Sequence, residues 1–164
     1  MASPRLFSFP DPVNEVSARL VAAGVVVLSL ATMVFDQPWL LVVIAYGFVA
    51  RVLTGPTLSP LGQVVTRVIT PRLGVAPTLI PGPPKRFAQG IGAILSVTAA
   101  VLALAFGLRG AAYTLMGFLV VAATLEAVFA ICLGCRIFGF LMRAGVIPDE
   151  VCERCNNIWA GTPG

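Results

Sequence analysis

The chain has 164 residues, of which 58% are hydrophobic and only 11% are charged, and its formal net charge is +4. Soluble domains are roughly one-quarter charged, so this composition excludes an ordinary soluble domain and indicates an integral membrane protein. The chain also contains no histidine. This absence excludes Ser-His and Cys-His nucleophilic sites, imidazole bases and histidine-rich metal centres.

Four apolar stretches are long enough to cross a bilayer, because the hydrocarbon core requires about 20 helical residues, or about 17 at the short limit. Helices satisfy their own backbone polar groups in lipid. We therefore predict an all-α fold, a bundle of four transmembrane helices at about residues 16–35, 37–53, 87–108 and 111–133. No cleavage site follows the first stretch, so we expect it to remain in the membrane. The second stretch is short, and we expect Arg51 to extend it by snorkelling to the cytoplasmic surface.

The eleven lysines and arginines are unevenly distributed along the chain. If four helices span the membrane, ten of these residues lie on one side and only Arg109 lies on the other. Because positive charge favours the cytoplasmic side, we predict that both termini and the central loop are cytoplasmic. The turns FDQP and GLRG then lie outside. This topology and an attraction to anionic lipid account for the net charge, so the sequence requires no nucleic-acid partner.

The loop between the second and third predicted spans, residues 54–86, is rich in proline. Within it, Ser59 and Pro60 form a typical helix start. Apolar residues then repeat at helical spacing, which predicts an interfacial helix lying on the membrane surface. The apolar positions are Leu61, Val64, Val65, Val68 and Ile69. We expect residues 1–145 to form the transmembrane domain and residues 146–164 to form a cysteine-bearing cytoplasmic tail.

All four cysteines lie near the carboxyl end, in two Cys-x-x-Cys pairs separated by sixteen residues. The pairs are Cys132 with Cys135 and Cys152 with Cys155. Cytoplasmic thiols are normally reduced, so the clustering favours redox chemistry or metal binding over a permanent disulfide, and the spacing also fits a four-thiolate zinc site. A third interpretation is that the thiols are chemically idle, because a buried free cysteine is commonly only a small hydrophobic residue. The first pair is expected at a helix C-terminus, where the helix dipole raises a thiol pKa. The second pair is expected just inside a helix that begins at Pro148.

Glu126 lies inside the fourth predicted span, where a carboxylate costs about 2 to 3 kcal/mol or more. We expect it to be protonated, to bond a polar side chain of the third span such as Gln89, Ser96 or Thr98, or to serve a proton or ion path. On an unbroken helix Cys132 lies about 240° around the axis from Glu126, so the two side chains are not expected to point at one place.

Two stretches, residues 84–93 (PKRFAQGIGA) and 126–139 (EAVFAICLGCRIFG), resemble the bacterial membrane family known as domain of unknown function 4395. The resemblance covers residues 11 to about 145 and implies four membrane helices with Cys-x-Gly-Cys near the end of the last one. It also implies an association with thioredoxin-like and sulfurtransferase proteins, and a place in the bacterial inner membrane. Cys152 and Cys155 lie beyond it.

These observations leave three functions open. The first is a thiol-disulfide or persulfide relay for a soluble thioredoxin-like or sulfurtransferase protein, in which all four cysteines exchange. The second is a scaffold protein whose four cysteines hold a structural zinc ion. The third is a small transporter that uses Glu126, which would require an oligomer because the chain supplies only one such carboxylate.

Overall fold

The computed structural model describes residues 9–152. Its elements in chain order are β1 (Val13–Asn14), α1 (Glu15–Val34), α2 (Leu40–Thr54), α3 (Pro60–Val64), a π-helical segment (Val65–Ile69), α4 (Thr70–Leu73), β2 (Leu79–Ile80), α5 (Gly82–Leu104), α6 (Arg109–Phe129), α7 (Leu133–Arg143) and a 3-10 helix (Asp149–Cys152). The prediction of an all-α fold is confirmed. Within these residues, β1 and β2 form a single short antiparallel pair.

The four long helices form a bundle in which each helix packs against two others. Helices α1 and α5 each contact both α2 and α6. Small residues at these contacts let the helices approach closely, as is common where helices pack in lipid. Ala99 and Ala112 are fully buried in the core. Gly92 of α5 lies against Phe48 of α2 so closely that an added Cβ would come within 2.3 Å of the ring.

Three helices, α1, α5 and α6, are long and apolar enough to cross a membrane, whereas α2 is a shorter apolar helix of 15 residues. Helix α5 begins at Gly82, five residues before the predicted third span. It can begin there because Pro83 and Pro84 occupy the first helical turn, where no backbone N–H is needed for an intrahelical bond. Pro83 and Pro84, which were expected to lie in the loop, are therefore part of α5.

The two short turns of the bundle lie at the same end. Arg109, after the second turn, donates from Nη1 to Oδ2 of Asp36 in the first turn at 2.5 Å. The hydroxyl of Tyr113 donates to the other carboxylate oxygen of Asp36 at 2.5 Å. A four-span topology requires the turns FDQP and GLRG to be on one side, and the structure places them together.

The opposite end of the bundle carries the chain between α2 and α5. Ser59 caps α3 and Pro60 begins it, as the sequence predicts. Leu61 reaches Gly24 of α1, and Val65 is buried. The remaining apolar positions of this segment are exposed, namely Val64, Val68 and Ile69. The predicted apolar stripe is therefore divided between the bundle and the outside.

The helix that was predicted to run to about residue 133 instead breaks after Phe129. Ala130 adopts a left-handed conformation with φ of 57°, and its N–H bonds back to the carbonyl of Glu126 at 3.1 Å. Cys132 is extended, and a new helix, α7, begins at Leu133. The prediction that the first cysteine pair lies at a helix C-terminus is wrong.

Contacts with two other helices explain the break. Arg19 of α1 donates to the carbonyls of Ala127 and Val128 at 3.0 to 3.1 Å, which satisfies groups that the end of α6 leaves without helical partners. Gly134 then packs α7 against Ala88 of α5, where an added Cβ would lie 2.4 Å from the alanine Cβ. Tertiary packing therefore redirects the chain onto α5.

Candidate functional site

Cys132 occupies the N-cap position of α7. Its Sγ accepts the backbone N–H of Cys135 at 3.3 Å. Serine, threonine or aspartate commonly accepts this bond at a helix start. The positive end of the helix dipole lies there and favours an anion. The first cysteine pair therefore has the helix position that stabilises a thiolate, which the sequence had suggested for the second pair.

The two thiols of the first pair touch each other. Their Sγ atoms lie 2.6 Å apart, with the Cys135 thiol donating to Cys132. This hydrogen bond, assisted by the nearby Lys85 ammonium, holds the pKa of Cys132 below its ordinary value against the opposing effects of burial and Glu126. The same hydrogen bond, together with burial, raises the pKa of Cys135. Cys132 is therefore the thiol of the pair that loses its proton more easily, and Cys135 is the one that keeps it.

Glu126 forms an ion pair with Lys85 of α5, and both side chains are largely buried. The prediction that Glu126 bonds a polar residue of the third span is right in the helix and wrong in the residue. Gln89 and Ser96 bond elsewhere, and Lys85 takes the place predicted for them or for Thr98. This ion pair accounts for the carboxylate, and a role for Glu126 in transport stays a prediction.

Arg51 lies inside the bundle with only 5% of its surface exposed, so the prediction that it snorkels to the surface is wrong. Its Nε donates to Oε1 of Gln89 at 2.9 Å, and its Nη1 donates to the hydroxyl of Ser59 at 3.1 Å. The guanidinium also lies 4.6 Å from the ring centroid of Phe48. Within residues 9–152, no carboxylate is within 4 Å of it.

Arg51, Lys85, Glu126 and Cys132 together form what we call the polar cluster. Lys85 and Glu126 both act electrostatically on the Cys132 thiol, and Glu126 also acts electrostatically on Arg51. The break after α6 allows this proximity, because it turns Cys132 back towards α5. The expectation that Glu126 and Cys132 do not meet assumed an unbroken helix, and the break after Phe129 removes that condition. Two cations and one carboxylate carry a formal charge of +1, and a thiolate at Cys132 neutralises it. Because uncompensated buried charge is costly, the cluster favours the thiolate.

Sequence reasoning missed Arg51 and Lys85 as site residues because it assigned both to topology. One feature of the sequence could have indicated Arg51. Gly47 lies one helical turn earlier, and an added Cβ there would come within 3.2 Å of the Arg51 Nη1 atom. A glycine one turn before an arginine leaves room for the side chain to lie along the helix, which an outward-pointing arginine does not need.

A metal site is not formed by the part of the chain that the structure describes, where no three Cys, Asp or Glu side chains are grouped to hold an ion. The side chain of Cys152 and all of Cys155 lie outside the described residues. The four-cysteine zinc site therefore stays a prediction.

Comparison with known proteins places this helical bundle in a family. The family described as Domain of unknown function (DUF4395) matches residues 13–143. The chain therefore belongs to this family, and the resemblance found in the sequence is confirmed. Neither the curated proteins nor the solved structures include a match to the chain.

Proposed function

We propose that the protein is a multi-pass protein of the bacterial inner membrane, with α1, α2, α5 and α6 as four spans and both termini cytoplasmic. The length and apolar character of α1, α5 and α6 support this topology. Large apolar side chains also face outward on all four helices, which is typical of a lipid-facing surface. Examples are Val27 at 66% exposure, Tyr46 at 52%, Ile94 at 69% and Phe118 at 66%.

In this topology the segment from α3 to α4 lies at the cytoplasmic surface. Its exposed apolar side chains, Val64, Val68 and Ile69, would enter the interface between headgroups and acyl chains. Lys85, Arg51 and the first cysteine pair lie at this same end of the bundle. The proposed chemistry therefore occurs at the cytoplasmic side.

The chemistry we propose is thiol exchange with a soluble thioredoxin-like or sulfurtransferase protein. The observation that carries the proposal is the geometry of one pair: Cys132 caps α7, and the Cys135 thiol lies 2.6 Å from its sulfur. A nucleophilic thiolate and a resolving thiol are the two groups that disulfide exchange requires. Cys132 is buried and Cys135 is partly exposed, so the partner must present its reactive sulfur on a protruding segment.

The exchange with a disulfide proceeds in two steps. The Cys132 thiolate attacks one sulfur of the partner disulfide and forms a mixed disulfide, while the other partner sulfur leaves as a thiolate and takes up a proton. Cys135 then loses its proton, attacks the Cys132 sulfur and releases the second partner thiol. The partner gains two electrons, and the Cys132–Cys135 pair loses two.

The second pair completes the proposed relay. The dithiol of Cys152 and Cys155 would reduce the Cys132–Cys135 disulfide by the same two steps, and a cytoplasmic dithiol would reduce the tail in turn. With a persulfide donor, the Cys132 thiolate would instead attack the terminal sulfur, so that Cys132 becomes the persulfide and the donor leaves as a thiolate.

Trapping the mixed disulfide tests this function. In a chain with Cys152 and Cys155 replaced by serine, Cys135→Ser removes the resolving thiol, so a covalent adduct at Cys132 should accumulate in intact cells. The further change Cys132→Ser should abolish the adduct, which serves as the control. The proposal fails if no Cys132-dependent adduct forms and the native thiols remain inert to oxidant.

A further inference from the structure

A cavity of about 220 Å³ opens at the cytoplasmic end of the proposed topology, between the amino-terminal segment, α1, α2 and α3. Most of its wall is apolar, with Phe9, Pro12 and Val21 among the lining residues. Two of its lining residues are cations, Arg51 and Lys85, and no Asp or Glu side chain lines it. The charge of the wall therefore suits an anion.

The neutral polar side chains of the wall are already engaged by the protein. The Asn14 carboxamide oxygen caps α1 by accepting the N–H of Val16 at 3.0 Å. The hydroxyl of Ser17 shares a hydrogen bond of 2.9 Å with that of Thr70. Arg51 and Lys85 are therefore the groups of this wall that would bind a charged ligand.

Arg51 provides the strongest reason to expect a ligand. It is 5% exposed, and within the described residues its side-chain partners are neutral groups. Burying a charge is costly unless an opposite charge compensates it. Lys85 already shares its charge with Glu126 and lies near Cys132, whereas no anionic side chain of the described residues is in contact with Arg51.

We propose that this cavity binds an oxyanion of the phosphate type through Arg51 and Lys85. The planar guanidinium of arginine matches such oxyanions, and basic pockets between membrane helices on the cytoplasmic side suit anionic lipid headgroups. The cavity is smaller than the roughly 300–1,000 Å³ of sites for drug-sized ligands, so it suits a single headgroup or a small soluble oxyanion. The site requires no cysteine and goes beyond the proposed thiol exchange.

Binding to the purified full chain tests the proposal. The delipidated protein in neutral detergent is titrated separately with inorganic phosphate, with dihexanoylphosphatidylglycerol and with dihexanoylphosphatidylcholine, and calorimetry measures the affinity. We expect saturable binding of one or both of the first two probes. Arg51→Gln should weaken that binding about tenfold or more, because a buried charge-assisted contact is lost. Arg51→Lys should retain part of it.

Two further variants keep the test valid even if the Arg51 variants do not fold. Ala18→Phe fills the cavity from the α1 wall without removing a charge, and it should abolish binding. Arg67→Gln removes an exposed arginine outside the wall and should leave binding unchanged. Binding of phosphatidylglycerol alone identifies a lipid headgroup as the ligand, binding of phosphate alone identifies a soluble oxyanion, and binding of both identifies a site open to either.

The proposal is overturned if neither anionic probe binds, if phosphatidylcholine binds as well as phosphatidylglycerol, or if Ala18→Phe retains the wild-type affinity. A chain with all four cysteines replaced by serine should bind at least as tightly as the wild type, because it keeps both cations and loses the thiolate that competes for them. That variant separates the two proposals, because it abolishes thiol exchange and leaves the anion site intact.

Discussion

At the scale of single residues, the charge on Cys132 depends on what surrounds it. Its sulfur accepts from the backbone N–H and from the thiol of Cys135, and the Lys85 ammonium lies nearby. Burial and Glu126 act in the opposite direction. The ionisation of Cys132 can therefore be changed in either direction by single substitutions, which gives two predictions.

The first prediction concerns the hydrogen bond from Cys135. Thiolates react with iodoacetamide and thiols do not, so the alkylation rate rises with pH around the thiol pKa. The test uses a chain with Cys152 and Cys155 replaced by serine, and it measures the pH at which the alkylation rate of Cys132 reaches half its maximum. Cys135→Ser keeps an O–H donor, so this midpoint should stay below the ordinary cysteine pKa of about 8.5. Cys135→Ala removes the donor and should move the midpoint to higher pH. Equal midpoints in the two variants would contradict the assigned hydrogen bond.

The second prediction concerns the ion pair in the polar cluster. Glu126→Gln removes the charge that raises the Cys132 pKa and should move the alkylation midpoint to lower pH. Lys85→Gln removes the charge that lowers this pKa and should move the midpoint to higher pH. The measurement is the same alkylation profile in the chain that retains Cys132 and Cys135. A shift in the same direction for both variants would show that the pair does not act on Cys132 through charge.

At the scale of secondary-structure elements, α7 fixes the site by packing against α5. The contact of Gly134 with Ala88 brings the helices together, and the rings of Phe87 and Phe138 meet edge-on with centroids 5.6 Å apart. The first turn of α7 carries Cys132 and Cys135 to the Lys85 end of α5. The geometry of the thiols therefore depends on this helix contact.

A matched pair of glycine substitutions in α7 tests this dependence. Gly134→Ala places a Cβ against Ala88 and should lower the free energy of unfolding by about 1–3 kcal/mol, the usual cost of overpacking. Gly139→Ala meets no atom within 4 Å and should be neutral or stabilising by up to about 1 kcal/mol, because alanine favours helix more than glycine. Denaturant unfolding in detergent measures both. Equal effects would contradict the packing of α7 on α5.

The elements differ in how far the sequence could predict them. Ser59 caps α3 where the sequence indicates a helix start, and Asn14, a residue type that commonly caps helices, caps α1 just before the predicted first span. The break after α6 has no such local cause, since Ala130 is a good helix former forced into a left-handed conformation. Distant partners, Arg19 and Ala88, produce the break, and a residue-by-residue analysis of α6 contains neither.

The same limit applied to the candidate site. The sequence identified Cys132, Cys135 and Glu126 because a thiol pair and a carboxylate are conspicuous in an apolar chain. It did not place them together, because their proximity follows from the break. Arg51 and Lys85 were assigned to the cytoplasmic surface, since charge near a span end usually indicates topology and does not reveal which side chains turn inward.

At the scale of the whole molecule, the bundle has two chemically different ends. One end joins the two turns through the Asp36–Arg109 ion pair, and the other holds the polar cluster and the cavity. The proposed topology places the first end outside the cell and the second end inside. The prediction at this scale is therefore about sidedness.

Single cysteines in an otherwise cysteine-free chain test the sidedness. Gln37→Cys, in the first turn, should react with a membrane-impermeant maleimide in spheroplasts, in which the inner membrane is intact and exposed. Arg72→Cys, in α4, should react only after the membrane is permeabilised. Both positions are exposed, so accessibility within the protein does not differ between them. The reverse labelling pattern would place the cysteines outside the cell.

The most direct test of the account uses the wild-type protein in detergent, mixed anaerobically with an oxidised thioredoxin-like protein. Differential alkylation and mass spectrometry then measure the thiols of both proteins. We predict that a Cys132–Cys135 disulfide appears in wild type and in the Cys152→Ser, Cys155→Ser variant, with two partner thiols released per disulfide formed. If both thiols remain free in that variant while the partner stays oxidised, the first pair does not exchange and the account is wrong.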